Sequence, residues 1–135
     1  MSRQRLIVVA VIAGVAAAAG LWLLWPKPAP PLVAEATAGP YLVRITGTPP
    51  KVGINALVVE ITGSAGESPT PESVTFEPAM PQMGHATTPV VAHPEGTERY
   101  RGDVNLSMPG QWEITVRISD GKDHYDAVLN VTTTG

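Results

Sequence analysis

Residues 76–85 read Phe-Glu-Pro-Ala-Met-Pro-Gln-Met-Gly-His, which sets the thioethers of Met80 and Met83 and the imidazole of His85 within a few residues of one another. Thioether and imidazole are the ligands that suit soft, monovalent copper. Calcium and magnesium want carboxylate and carbonyl oxygen, and the stretch offers only one carboxylate, Glu77. The chain has no cysteine, so thiolate sites, disulfides and a cysteine nucleophile are all excluded. A third thioether, Met108, lies further along. The chemistry on offer is binding of a soft cation, with Met80, Met83, His85 and Met108 as candidate ligands and copper(I) as the candidate metal.

The same residues have a plainer reading. Met80 continues the alternation of Val74, Phe76 and Pro78, and Met108 continues that of Leu106, so both could serve as flexible caps of a core. Met83 and His85 are two apart, which on extended backbone puts them on one side, with Gly84 leaving room for close approach.

Catalysis has no comparable support. No serine sits in a nucleophile elbow, His85 has no carboxylate near it in sequence, Glu60 and Glu77 form no recognisable acid pair, and glycine-rich phosphate loops are absent. Asn105-Leu106-Ser107 and Asn130-Val131-Thr132 match the glycosylation pattern but fall in strand-like sequence. The expectation is a non-enzymatic protein.

The elements that must hold these residues are strands. After residue 40, short runs of alternating apolar residues recur between Gly-, Pro- and Asp-rich turns, and no helical period appears. Seven strands are expected, at about 41–46, 53–62, 73–80, 84–92, 98–108, 111–119 and 124–132. Their inward positions are Leu57, Val59, Ile61, Phe76, Tyr100, Val104, Leu106, Trp112, Ile114, Val116, Leu129 and Val131. This is the pattern of an all-β, seven-stranded immunoglobulin-like β-sandwich. If successive strands alternate in direction, the third leaves, the fourth enters and the fifth leaves at one end. Met80, Met83, His85 and Met108 then meet there, while His93 and His124 fall at the other end. The same parity puts the start of the first strand at the other end too, so the site is expected to face away from any membrane anchor.

The stretch 74–85, with Tyr100-Arg101-Gly102-Asp103-Val104 and Met108-Pro109-Gly110-Gln111-Trp112-Glu113-Ile114, resembles the YtkA-like domain of exported bacterial proteins, which is related to the FixH group. The resemblance spans roughly residues 40–132. It implies a membrane- or lipid-anchored β-sandwich of a kind found beside copper-handling and cytochrome-oxidase assembly proteins, and hence a copper-linked periplasmic role. The family's Met, Pro, Met, Gly and His carry over onto Met80, Pro81, Met83, Gly84 and His85, and its later methionine onto Met108.

Ahead of the domain, Arg3 and Arg5 precede twenty uncharged residues, 6–25. At about 1.5 Å per residue these just cross a hydrocarbon core of about 30 Å. A transmembrane helix preceding the sandwich is expected, with its basic end in the cytoplasm and all that follows exported, single-pass from the inner membrane. A cleaved signal peptide is the alternative, although such apolar regions usually run only about 7–15 residues and the Ala34-Glu35-Ala36 pattern lies far beyond this one. Pro26, Pro28, Pro30 and Pro31 suggest a stiff spacer. The domain plan is therefore a stub and anchor at 1–25, a spacer at 26–39 and the β-domain at 40–135. From Pro28 onward six basic residues face twelve acidic ones, a net charge of −6, with no clustered basic face, so neither nucleic acid nor anionic lipid is expected as a partner of this part. The partners expected are a copper ion, the membrane through the anchor, and a membrane or periplasmic protein. The alternative function is a non-enzymatic interaction domain assisting assembly of a membrane complex such as a cytochrome oxidase.

Overall fold

In the stretch Gly110–Asp120, Trp112, Ile114, Val116 and Ile118 are fully buried while Gln111, Glu113 and Arg117 are exposed, so alternation has made one dry and one wet face. The computed structural model of the chain describes residues 30–134, and there it is all-β. The strands are β1 (Leu32–Ala38), β2 (Tyr41–Thr46), β3 (Gly53–Gly63), β4 (Ser73–Met80), β5 (His85–Ala86), β6 (Val90–Pro94), β7 (Arg99–Leu106), β8 (Gly110–Asp120) and β9 (Asp123–Thr133). A single 3-10 turn, Pro81–Met83, separates β4 from β5.

Pairing runs in the order β1-β2-β3-β7-β6-β4-β8-β9, with β5 added to β4. The sheet folds over at β6, which pairs antiparallel with both β4 and β7. Its two ends, β1 and β9, lie side by side, so the result stands between a sandwich and a barrel. One apolar cluster fills it, with Trp112 and Phe76 its largest fully buried side chains. All the inward positions read from the alternation, from Leu57 to Val131, are buried there.

The structure departs from the expected strand plan in two places. The strand expected at 84–92 is two pieces, because Pro89 has no N–H to donate and Thr88 and Pro89 stay outside the ladder. Ala79 pairs with Ala86 and Phe76 with Val90, so β4 spends three steps where the partner spends four, and the extra residue is a bulge. Thr87 N–H still donates to Pro78 O at 3.2 Å, and both pieces run the same way along β4. The direction of every later strand is therefore as expected.

The second departure matters more for the site. Residues 32–38, read as part of a spacer at 26–39, form β1 and pair with β2. Their alternation is carried by Ala34, Ala36 and Ala38, side chains too small to announce a strand, yet all three pack on the core. The β-domain thus starts before residue 40. β2 does begin at the end expected for it, where Tyr41 Oη donates to Asp120 Oδ2 at 3.1 Å. β1 runs the other way, so the chain enters from the opposite end: Gly47 N–H donates to Pro31 O at 2.9 Å, and Pro31, Leu32 and Val33 share a groove with Asn130, Val131 and Thr132 near the end of β9. The expectation that the chain enters away from Met80 and His85 is overturned. The expected anchor at 6–25 and residues 26–29 lie outside the described residues, among which no helix is long and apolar enough to cross a membrane.

Candidate metal centre

β4 turns Val74, Phe76, Pro78 and Met80 inward, and Met80 is only 5% exposed. The intervening Glu77 faces out, where Arg117 holds it at 3.4 Å and also reaches Asp126 at 3.1 Å. The one carboxylate of the stretch is thereby on the wrong face of the sheet and already paired. Among the described residues no group of three or more His, Cys, Asp and Glu could hold a metal ion.

After Met80 the proline at 81 opens the 3-10 turn, and Gly84 ends it in the left-handed region at φ 61° and ψ 29°, its N–H on Pro81 O at 3.2 Å. A side chain at 84 would be strained there. Met83 sits within the turn and is 62% exposed. Met83 and His85 are therefore not related by extended backbone, contrary to the expectation. A helical turn and a left-handed glycine separate them.

His85 opens β5 directly opposite Met80. Its Nε2 is hydrogen-bonded to Ser107 Oγ at 2.9 Å, and its ring stands edge-on to Trp112, with centroids 5.8 Å apart and planes at 69°. Ser107 is the residue before Met108. Trp112 Nε1 donates to Met108 O at 2.9 Å and Thr133 Oγ1 donates to the same oxygen at 2.9 Å, so the backbone at Met108 is fixed from two strands. The Met108 side chain is partly buried against the core. Gly110 adopts φ 132°, and a Cβ added there would lie 2.9 Å from Met80 Cε. The methyl of Met80 thus lies beside the turn between β7 and β8.

Met80, His85 and Met108 are joined by strand pairing, one hydrogen bond and one chain step, and Met83 is two residues from His85 on the solvent side. His93 pairs with Arg101, and His124 pairs with Ser119 beside the opposite end, so both are remote from this cluster. Ser107, Trp112 and Thr133 are the parts that sequence reasoning missed as site residues. Ser107 was legible as an outward position next to Met108, but its bond to an imidazole 22 residues away was not.

The described residues, 30–134, form an all-β domain, between sandwich and barrel, with a methionine- and histidine-bearing end. A YtkA-like family model matches residues 35–117, more than half of the chain, and the protein belongs to the YtkA-like family. The match includes Met80, Met83, His85 and Met108. Neither the curated proteins nor the solved structures give a match.

Proposed function

We propose that the protein is a membrane-anchored, exported module, without enzymatic activity, that holds copper(I) for handling or delivery through Met80, Met83, His85 and Met108. The observation that carries this reading is the hydrogen bond between His85 and Ser107, which ties the start of β5, opposite Met80, to the residue next to Met108. In the tautomer with the proton on Nε2, which then donates to Ser107 Oγ, Nδ1 keeps the lone pair that a metal takes, the usual way an outer partner orients a histidine ligand. Three thioethers and one imidazole form a soft donor set suited to monovalent copper, and Glu77, the local hard ligand, is engaged by Arg117. Closing the site around an ion needs Met83 to turn in from solvent, a rotation its unbranched side chain permits.

We read the fold as immunoglobulin-like on the same footing. The orders β2-β3-β7-β6 and β4-β8-β9 correspond to the four-plus-three arrangement of that sandwich, with β1 and β5 as additions. Residues 6–25 serve as the anchor and place the domain outside the inner membrane, in the periplasm or beyond the cell.

Titration of the full chain in detergent with copper(I) under reducing, anaerobic conditions tests the reading. The expected result is saturable binding in the wild type that the Met83→Ala/His85→Ala pair abolishes while the unfolding midpoint stays put. A wild-type chain that takes no copper would refute it. A second reading would then stand, that this end is an adaptable contact surface in assembly of a membrane complex, favoured by the exposure of Met83.

A further inference from the structure

The direction of β1 decides which end of the domain meets the bilayer. Six residues, 26–31, lie between residue 25 and Leu32, and seven steps of extended chain at no more than about 3.3–3.6 Å each keep Leu32 within roughly 25 Å of residue 25. β1 then runs from the end bearing Met80, His85 and Met108 toward the end bearing Asp120. Were the Asp120 end on the membrane, the six residues would have to turn back along β1, whose seven residues span six steps of about 3.3 Å, roughly 20 Å, and take up most of that reach. Four prolines among those six residues favour extended backbone and oppose such a reversal. With the methionine end toward the bilayer the tether simply continues into β1.

The surface composition of the two ends points the same way. Ile54 is 77% exposed, and Leu32, Val52 and Met83 are also exposed large apolar side chains. Ile54 pairs with Asn105 at the end of β7, and the others flank β1, β3 and β5 at the same end. Within the segments that form it, 30–33, 47–55, 80–88, 105–113 and 130–134, the charged side chains are one lysine, Lys51, and one acid, Glu113. The opposite end carries Glu67, Glu72, Glu95, Glu98, Asp120 and Asp123 against Arg99 and Lys122. An anionic lipid surface repels the second end and accepts the first, where exposed apolar side chains gain by entering the headgroup boundary.

We infer that the methionine and histidine end rests on the outer surface of the lipid bilayer, so that metal reaches the candidate site from the gap between domain and membrane. The inference rests on the reading of residues 6–25 as an anchor. The test uses the absence of native cysteine: the full chains carrying Ile54→Cys or Lys122→Cys are labelled with a fluorophore and reconstituted in phosphatidylcholine–phosphatidylglycerol vesicles containing brominated lipid. Eleven residues of β8 at about 3.3 Å each separate the ends by roughly 35 Å, whereas interfacial groups lie about 5–10 Å into the boundary. Quenching at position 54 at least about threefold stronger than at position 122 is the expected result, on that difference in depth. Chain that floats with the vesicles but is quenched equally at both positions, more at 122, or at neither overturns the orientation alone. Chain that does not float overturns the anchor reading and the orientation with it.

Discussion

Met80 and Met83 are three residues apart and chemically identical, yet the structure gives them separable roles, so exchanging each for alanine tests the site directly. Met80 is 5% exposed and packs beside Gly110, whose added Cβ would lie 2.9 Å from its terminal methyl. Truncating a buried methionine removes the transfer free energy of the lost atoms and leaves a cavity, together about 2–5 kcal/mol. In a domain of this size each kcal/mol corresponds to roughly 4–8 °C, so Met80→Ala should lower the melting midpoint by at least about 8 °C. Met83 is 62% exposed, so its truncation should stay within about 0.5 kcal/mol, a shift of less than about 4 °C. Both variants should weaken copper(I) binding at least about tenfold, which is about 1.4 kcal/mol of lost ligation each. The assay is urea and thermal unfolding of the full chain in detergent, with Trp22 and Trp25 exchanged for phenylalanine so that buried Trp112 alone reports, beside a copper titration of the same samples. Equal midpoint shifts in the two variants would refute the placement of Met80 in the core and Met83 outside it. Unchanged binding in Met83→Ala would remove it from the ligand set.

Ser107→Ala should weaken copper(I) binding about 10–100-fold by freeing the His85 ring, the usual loss when an orienting partner is removed, with only a small change in unfolding midpoint; titration that matches the wild type would leave Ser107 without a positioning role. At the opposite end, burial first, then the hydrogen bond to Asp120 and that carboxylate's charge, push the Tyr41 hydroxyl above its ordinary value. A folded value above the unfolded one means that this stabilisation is fully present below about pH 10 and lost as pH rises through the folded value. Stability measured by urea unfolding should therefore fall at alkaline pH, and less steeply in Tyr41→Phe, where Tyr100, raised by burial, still contributes; an identical fall in both chains would show that Tyr41 is not the group responsible.

The interior was legible because its signal is large side chains repeating with period two. Trp112, Ile114, Val116 and Phe76 are each bulky enough to demand burial, and turns such as Pro109-Gly110 fix where each run ends. β1 escaped for the converse reason: Ala34, Ala36 and Ala38 face the core, but an alternating row of methyl groups following a proline run resembles a linker. That omission left the internal geometry intact and reversed its relation to the rest of the chain, since every added strand flips the end at which the chain enters. The convergence of Met80, His85 and Met108 on one end depended only on the directions of β4, β5, β7 and β8, which one bulge at 87–89 does not change. Local conformation between strands was the least legible part. Nothing in periodicity distinguishes extended backbone at 81–84 from the 3-10 turn that proline starts and left-handed glycine ends.

The uneven burial of the four candidate ligands bears on how such a site would work. A metal held by four equally buried side chains could leave only by opening the core, which costs free energy on the scale of local unfolding. Here Met80 is fixed in the core and His85 is oriented by Ser107 and Trp112, whereas Met83 rides on an exposed three-residue turn. On the proposed ligand set, an incoming thioether or imidazole from a partner would displace the Met83 sulfur without disturbing any packed residue, and the remaining donors would keep the ion in place until a second bond forms. Ligand exchange would then proceed stepwise from the exposed side. Under this account Met83→Ala speeds copper(I) release to a competing chelator more than Met80→Ala does at matched affinity, a difference that stopped-flow transfer measurements would read. The reverse order of rates would argue that exchange begins at a donor other than Met83.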